Sequence, residues 1–254
     1  MIFVNRLARI LPLQVMTSRR FSFAPVSLLL AVLCGACAAT TSPAPVSAGG
    51  AALAASPAPT ADLAGPFTPL FDGKDTTGWV QVLDSKWLVE DGVLVARQDP
   101  AGRRGGESWL FTDKDYGDFV LRVRYRITPG GNSGIFLRDP VPRATRLAAA
   151  DGGQGPWESG YEVNINNDEP VYPTGSVWDA AKGPGKLQRE NEWNDVLIKI
   201  QGQQIWTWVN GVVALDGAVL PARSTRGGIG FQRHGTPQYR DKVIEVKSVD
   251  IREL

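Results

Sequence analysis

The strongest constraint on the fold is a strictly alternating stretch near the middle of the chain, residues 119–128. From residue 121 onwards apolar side chains occupy one set of alternate positions, and arginines followed by a threonine occupy the other. Because successive side chains of a strand point to opposite faces, this stretch predicts a β-strand with one buried face. The Pro-Gly-Gly run at residues 129–131 predicts a turn, so we expect residues 134–138 to return as the second strand of a central hairpin that forms the floor of a site.

Short strand patterns recur along the chain at regular spacing. Residues 87–90 and 93–96 flank Asp91-Gly92, and residues 205–209 end at Asn210-Gly211. Both dipeptides favour the type I′ turn of a β-hairpin. The only helical signal is the run 143–150, which predicts one or two turns within an insertion, residues 140–156, that suits a lid or a site wall.

These patterns predict an all-β chain, specifically a two-sheet antiparallel sandwich. Period-two spacing also predicts which side chains of two strands face its core. The expected inward-facing residues are Tyr161, Val163, Ile165, Val196, Ile198 and Ile200.

The first 65 residues do not have the composition of a folded core. Basic residues at 18–20, an apolar run at 21–36 and small residues at its end are the layout of an export signal, so residues 1–37 are predicted to be a signal peptide, with Met16 as the candidate true start. Residues 33–37 resemble a lipoprotein box with Cys37 as the lipidated residue, and Arg19-Arg20 loosely resembles a twin-arginine signal; an ordinary cleaved signal is the alternative. Residues 38–65, rich in Ala, Ser and Pro, predict a flexible linker to one domain at 66–254.

This arrangement predicts a protein exported to the periplasm or cell envelope, attached to the membrane if Cys37 carries a lipid. The formal net charge is +1 without a basic stripe, so nucleic acid is not expected as a partner. The oligomeric state is not indicated.

Composition also limits the chemistry of the domain. Both cysteines, Cys34 and Cys37, precede residue 66, and His234 is the single histidine, so the sequence offers no disulfide, thiolate metal site or multi-histidine metal site in the domain. A divalent cation held by Glu162, Asp168 and substrate oxygens is the one metal arrangement that the sequence suggests. Most of the eight tryptophans are expected in the core, and an exposed minority would suit stacking on sugar rings.

The strand 161–165 carries the clearest candidate binding surface. Since its apolar side chains are predicted to face the core, Glu162, Asn164 and Asn166 share the opposite face. One carboxylate and two carboxamides in a row are typical of a polyol-binding surface, although a solvated strand exterior has the same pattern.

Five motifs follow one another along the domain: Asn132-Ser133-Gly134-Ile135-Phe136, Gly160-Tyr161-Glu162-Val163, Glu192-Trp193-Asn194, Val209-Asn210-Gly211 and Gly228-Ile229-Gly230-Phe231-Gln232-Arg233-His234-Gly235. Together they resemble the 3-keto-disaccharide hydrolase family over residues 67–254. The resemblance implies a concanavalin A-like jelly roll, export, and action on glycosides oxidised to a ketone at carbon 3. It favours Glu162 and His234 most among the candidate catalytic residues. The candidate substrate-binding residues are Asn132, Ser133, Arg138, Asn164, Trp178 and Gln232. Similar proteins usually carry Gln at the position of Asn164.

A 3-keto sugar would need only one carboxylate for cleavage, because the ketone acidifies the hydrogen on carbon 2. Glu162 would be the base that removes it, His234 the acid for the leaving group or a donor to the substrate, and Asn132 with Arg138 the contacts of the oxyanion and hydroxyls. Each residue also has a purely structural alternative: Glu162 could pair with Arg138, His234 could cap a strand end, and Asn132 could occupy a positive-φ turn position.

Three functions are compatible with the sequence. The first is an exported enzyme that cleaves 3-keto-glycosides or 3-keto-disaccharides by elimination and hydration. The second is a lectin-like carbohydrate-binding module on the same sandwich, since a fold does not fix its chemistry. The third is a structural or adhesive surface domain, which a flat polar sheet face would favour.

Overall fold

The computed structural model describes residues 65–83, 86–97, 107–150 and 159–254. These residues all fall within one unit of the chain, Gly50–Leu254. The predicted signal peptide with Cys34 and Cys37, nearly all of the predicted linker and the end of the 140–156 insertion lie outside the described residues. Within the described part, no helix has the length and apolar character needed to cross a bilayer.

The described residues form thirteen strands and a single α-helix. In chain order these elements are β1 (Thr68–Pro69), β2 (Trp79–Leu83), β3 (Lys86–Glu90), β4 (Val93–Arg97), β5 (Ser108–Thr112), β6 (Phe119–Ile127), β7 (Ser133–Asp139), α1 (Arg143–Ala150), β8 (Tyr161–Ile165), β9 (Asn194–Gln201), β10 (Gln204–Val209), β11 (Val212–Val219), β12 (Gly228–Arg233) and β13 (Ile244–Glu253).

The strands make two antiparallel sheets. The larger sheet has eight strands in the order β11-β10-β9-β6-β13-β4-β3, with β1 paired to β13, and the smaller has five in the order β2-β5-β12-β7-β8. Their facing sides share one apolar core, as expected when each sheet must bury one face. The predicted all-β, two-sheet antiparallel sandwich is therefore confirmed.

Alternation along the strands correctly predicts which side chains face this core. The six residues expected to face inward from β8 and β9 are each at most 3% exposed and belong to the core. In β6 the apolar residues from Phe119 to Ile127 are buried at alternate positions, whereas Arg122 and Arg124 are exposed. The predicted Asp91-Gly92 and Asn210-Gly211 turns join β3 to β4 and β10 to β11, with the positive φ angles that type I′ turns require.

The predicted hairpin between β6 and β7 is wrong. β6 pairs with β9 and β13 in the larger sheet, whereas β7 pairs with β8 and β12 in the smaller one. The Pro129-Gly130-Gly131 turn therefore carries the chain from one sheet to the other. Gly131 packs tightly here, since a β-carbon at this residue would lie 2.7 Å from the Ile127 side chain. The expectation that β7 contributes to a site floor is considered below.

The predicted helical run is confirmed as α1, which packs against β2. It lies beside a second apolar cluster, formed on the side of the smaller sheet that faces away from the core by Val80, Val82, Trp109, Phe111, Phe136 and Val141. The Arg146 guanidinium of α1 lies 4.1 Å from the Phe111 ring centroid and pairs with Asp139 at 2.8 Å, with both charged side chains buried. The helix α1 therefore covers the part of this outer face that is nearest to β2. The candidate site described below lies on the part formed by β12, β7 and β8.

Candidate functional site

The candidate site lies on the outer face of the smaller sheet, where β12, β7 and β8 run side by side. In each strand the core-facing residues alternate with residues of this outer face, such as Phe231 with Gln232, Ile135 with Gly134, and Val163 with Glu162. The side chains that converge here therefore come from strands distant in sequence, and their positions are set by sheet register.

Gly134 provides the space in which the Glu162 side chain lies. A β-carbon built on Gly134 would fall 2.0 Å from Glu162 Oε1 and 2.6 Å from its Cγ. The carboxylate of β8 therefore lies across the backbone of β7, where any larger residue would displace it. The absence of a side chain at Gly134 therefore allows the Glu162 side chain to approach the backbone of β7 closely.

The loop that follows β8 covers the edge of this sheet. Its backbone pairs with β8: Asn164 N–H donates to Ser176 O at 2.9 Å, and Trp178 N–H donates to Glu162 O at 2.9 Å. Covering an edge strand in this way protects it from pairing with other chains. The same pairing places the Trp178 indole, which is 43% exposed and 5.6 Å from the Tyr172 ring, beside Glu162.

A hollow of about 170 Å³ on one side of Glu162 is rich in carboxamides, and we call it the carboxamide hollow. Within it, Asn164 Nδ2 donates to Tyr172 O at 2.6 Å, and Gln232 Nε2 donates to Glu107 Oε1 at 3.3 Å. These bonds fix both amide groups before a ligand arrives. Its lining residues are Asn132, Glu162, Asn164, Trp178, Gln232 and His234.

The surroundings of His234 favour the neutral form of its imidazole. Burial, with a smaller contribution from the neighbouring Arg233 cation, lowers the pKa of the imidazole below its ordinary value. The ring packs edge-on against Tyr239 at 4.9 Å, and its Nδ1 accepts a long hydrogen bond of 3.4 Å from Thr236 N–H. An acceptor at Nδ1 favours the tautomer that carries its proton on Nε2, so neutral His234 remains a hydrogen-bond donor.

A second hollow of about 210 Å³, which we call the arginine hollow, adjoins the first and shares Glu162 and Trp178 with it. Arg223 Nη1 donates to Gly160 O at 3.0 Å, and the guanidinium carbon lies 5.7 Å from the Tyr161 ring centroid. Arg223 Nη2 also lies 3.7 Å from Asp179 Oδ2. The lining residues are Phe136, Gly160, Tyr161, Glu162, Trp178, Asp179 and Arg223.

The structure brings six of the predicted site residues to the carboxamide hollow: Glu162, His234, Asn132, Asn164, Trp178 and Gln232. The structure also places Arg223 and Asp179 at the arginine hollow. Neither residue was predicted from the sequence, because both lie in irregular segments outside the strand patterns. The sequence signal nearest to Arg223 is the motif pair Gly160-Tyr161, because Arg223 donates hydrogen bonds to Gly160 O and to the Tyr161 hydroxyl. Gly134 of β7 lies against the Glu162 side chain, and the contribution of β7 to the floor of a site stays a prediction.

Two predicted binding residues lie elsewhere. Ser133 begins β7 on the core side of the sheet, is fully buried, and donates its hydroxyl hydrogen to Gln232 O at 2.6 Å. Arg138 has a left-handed φ of 52°, and its buried guanidinium donates to Gly117 O, Gly202 O and Asp118 Oδ1 at 2.6–2.7 Å. Neither residue therefore lines either hollow, and Arg138 pairs with Asp118 in place of the suggested pair with Glu162.

Among the described residues, no three His, Cys, Asp or Glu side chains are grouped so that they could hold a metal ion. Asp168, suggested as a ligand together with Glu162, instead lies near Gly130, where its Oδ2 is 3.8 Å from the position of a β-carbon. Larger depressions of about 490 and 360 Å³ occur beside Tyr116 and Trp208. Neither contains the convergent carboxylate, carboxamides and imidazole that mark the carboxamide hollow.

A sandwich with these groups and an exposed tryptophan on one sheet face is of the class that binds or cleaves carbohydrates. Residues 66–252 match the 3-keto-alpha-glucoside-1,2-lyase-like domain, and the chain belongs to this family. A Bacteroides thetaiotaomicron 3-keto-disaccharide hydrolase is 35% identical over 77 residues, which span 28% of this chain and 26% of that relative.

Solved structures share the fold at low sequence identity. A candidate glycosyl hydrolase from Parabacteroides distasonis is 23% identical with a TM-score of 0.55, and the match covers 75% of this chain and all of that one. A carbohydrate-binding module from Bacillus subtilis is 15% identical with a TM-score of 0.50, and the match covers 74% of this chain and all of that one. These likenesses confirm the jelly-roll sandwich and leave the chemistry to be argued from the site.

Proposed function

We propose that this protein cleaves glycosides whose sugar ring carries a ketone at carbon 3, by elimination followed by hydration. Membership of the family and the name of the B. thetaiotaomicron relative support this substrate class. The observation that carries the proposal is the position of Glu162, which lies over Gly134 and lines both hollows. An elimination needs one base close to carbon 2 of the ketone ring, next to the carbon 1 atom that carries the leaving group.

The reaction begins at carbon 2 of the ketone ring. The Glu162 carboxylate removes the hydrogen that the carbon 3 carbonyl acidifies, and the electron pair left behind forms an enediolate. When the carbonyl re-forms, a double bond forms between carbons 1 and 2 and the bond from carbon 1 to the leaving oxygen breaks. That oxygen takes up the proton that Glu162 removed, which restores the carboxylate. Water then adds its hydroxyl to carbon 1 and its hydrogen to carbon 2, so that the net reaction is hydrolysis.

His234 supports this reaction as a neutral hydrogen-bond donor rather than as the acid for the leaving group. Burial lowers the pKa of its imidazole, which disfavours the protonated form that an acid for the leaving group requires. A neutral imidazole stabilises an enediolate oxygen by donating a hydrogen bond to it. Asn132 and Gln232 line the same hollow and supply contacts to hydroxyl groups.

A lectin-like role is the second candidate, and the exposed Trp178 beside Tyr172 favours it. Such an aromatic pair would bind a sugar face whether or not the sugar then reacted. A structural or adhesive role receives no support, because the polar face of β8 borders two hollows and is not flat.

The test compares wild-type protein with Glu162→Gln on a 3-keto-glucoside in heavy water. We expect wild type to release the aglycone and to place deuterium on carbon 2, and Glu162→Gln to lose about 10²- to 10⁴-fold in rate, as for a missing general base, while still binding. Glu245→Gln, in the larger sheet at an ion pair with Arg126, is the matched control.

Three results would decide against this proposal. Aglycone release without deuterium on carbon 2 would rule out elimination, and full activity in Glu162→Gln would rule out this base. Binding of the 3-keto-glucoside by a wild-type protein that never turns it over would favour the lectin-like role.

We also propose that the protein is exported and carries a lipid on Cys37. The support is the order of basic, apolar and small residues before Cys37 and the Ala- and Pro-rich linker that follows. An enzyme tethered in this way would meet its sugars in the cell envelope.

A further inference from the structure

The arginine hollow is unexplained by the reaction at the ketone ring. All groups assigned to the ring that loses its proton line the carboxamide hollow, whereas Arg223, Asp179, Tyr161 and Phe136 line only the second one. We propose that the arginine hollow binds the leaving group of the substrate, that this group is a neutral sugar, and that Arg223 is the residue that selects it. The inference rests on the proposed function.

Size is the first argument for two sugar-ring subsites. The hollows measure about 170 and 210 Å³. Each is smaller than the ~300–1,000 Å³ typical of sites that enclose a drug-sized ligand, so each suits one ring and the two together suit a disaccharide. The exposed Trp178 borders both hollows and offers an aromatic surface at the junction.

The order of the two rings follows from the position of Glu162. The carbon that loses its proton and the carbon that carries the leaving group are neighbours in one ring, so a base between two subsites faces the glycosidic bond. The neutral imidazole and carboxamides that suit an enediolate are all on one side of Glu162. The leaving sugar must therefore extend to the other side, into the arginine hollow.

Arg223 is held in place before a ligand binds. Its Nη1 donates to Gly160 O at 3.0 Å, its guanidinium carbon lies 5.7 Å from the Tyr161 ring centroid, and its backbone N–H donates to the Tyr161 hydroxyl at 3.1 Å. The side chain remains 29% exposed. Because a guanidinium has five N–H donors in a fixed plane, one internal hydrogen bond leaves donors for a ligand without the entropic cost of ordering the side chain.

Charge then defines the chemical class of the leaving group. The arginine hollow contains one cation, Arg223, and two carboxylates, Asp179 and Glu162, so an anionic leaving group would be repelled on balance. Arg223 Nη2 and Asp179 Oδ2 are 3.7 Å apart and present a donor beside an acceptor. Neighbouring hydroxyls of a neutral sugar can accept from the first and donate to the second, which an apolar aglycone cannot do.

The experiment measures kcat/KM for two substrates with the same ketone ring, a 3-keto-glucosyl-glucose disaccharide and methyl 3-keto-glucoside. We expect Arg223→Ala to lower the value for the disaccharide about 10- to 100-fold, the range for a lost charge-assisted hydrogen bond, and to change that for the methyl glycoside less than about threefold. Asp179→Asn, on the exposed rim, should act in the same direction more weakly. Arg124→Ala, on the larger sheet, is the matched control and should change neither value.

The outcomes separate this inference from the proposed function. An equal loss on both substrates, or no loss on either, would overturn the assignment of Arg223. If wild type turns over neither substrate, calorimetric binding of the disaccharide and of 3-keto-glucose to wild type and Asp179→Asn replaces kcat/KM. If wild type binds the disaccharide more tightly than 3-keto-glucose, and Asp179→Asn weakens binding of the disaccharide, the subsite is supported without the reaction. Equal binding of the two sugars by wild type would refute the subsite.

Discussion

At the scale of single residues, the candidate base depends on the absence of a side chain in the neighbouring strand. Because the Glu162 carboxylate occupies the space that a Gly134 β-carbon would need, we predict that Gly134→Ala moves the carboxylate without removing it. A displacement of about 1 Å at a reacting group typically costs ~10²-fold in rate, so kcat for a 3-keto-glucoside should fall by about that factor. The thermal midpoint should change much less.

Gly117→Ala is the matched control for this substitution. Its β-carbon would meet Arg226 Nη1 at 3.7 Å and Thr225 O at 3.8 Å, which are ordinary contacts. Unchanged kcat in Gly134→Ala would mean that Glu162 does not need its present position. Equal losses of kcat in the two variants would point to a general effect on the sheet.

His234 can be titrated directly, because it is the single histidine of the chain. Burial and Arg233 lower its pKa in the folded protein, so we predict an NMR titration midpoint of the imidazole below the ordinary value of about 6.5. A depressed histidine pKa disfavours folding under acid: stability should fall as the pH drops below the unfolded pKa and level off below the folded one. A midpoint at or above the ordinary value would remove the argument for a neutral donor.

At the scale of elements, alternation along a strand predicts which face of the strand is buried. It does not predict which other strands pair with it. The patterns of β6, β8 and β9 correctly identified their core residues, because period two is a local property. The turn between β6 and β7 has the composition of a hairpin, yet it links two sheets. Pairing partners such as β13 and β12 lie about a hundred residues further on, and only their packing decides the topology.

Ser133 and Arg138, at the two ends of β7, differ in how they relate to this rule, since Ser133 follows the alternation and Arg138 departs from it through a local distortion. Ser133 is on the core face because it shares the alternation of Ile135 and Leu137. Arg138 departs from extended geometry with a φ of 52°, near a shift in register between β7 and β12. The sequence gives no sign of that irregularity, since arginine rarely adopts a left-handed conformation.

The family motif Glu192-Trp193-Asn194 stabilises the folded structure through its last residue, Asn194. Asn194 is fully buried at the start of β9; its Nδ2 donates to Arg189 O and Glu192 O, and its Oδ1 accepts from Arg189 N–H and from Asn210 Nδ2, at 2.7–2.9 Å. We predict that Asn194→Ala lowers the free energy of unfolding by at least about 1–3 kcal/mol, the cost of one buried polar group left unpaired.

Urea unfolding of the purified protein measures this difference. Gln203→Ala, in the exposed turn between β9 and β10, is the control and should stay within about 0.5 kcal/mol of wild type. If Asn194→Ala unfolds at the wild-type urea concentration, the network around Asn194 does not support the fold.

At the scale of the whole molecule, strand patterns and family motifs predicted most residues of the carboxamide hollow and neither Arg223 nor Asp179 of the arginine hollow. Glu162, Asn164 and Gln232 occupy strands, whose register fixes their direction. Arg223 and Asp179 reach the same face from segments without periodicity, so only the folded arrangement reveals them.

Lipid attachment is a prediction about the whole protein. If Cys37 carries a lipid, we expect Cys37→Ser to move the protein from the membrane fraction to the soluble fraction, because a polar linker alone has no affinity for a bilayer. Cys34→Ser is the matched control and should leave fractionation unchanged. Wild-type protein in the soluble fraction would refute lipidation and leave export to be tested separately.

Arg138, excluded from the site, has a role that links both sheets. It belongs to β7 in the smaller sheet, yet its guanidinium holds Gly117 before β6 and Gly202 in the turn between β9 and β10. Gly202 N–H in turn donates to Asp118 Oδ1 at 3.0 Å. Separating the sheets at this end would leave a buried cation without partners, so the Gly202 amide should exchange its hydrogen with solvent as slowly as amides of the core strands, even though it lies in an exposed turn.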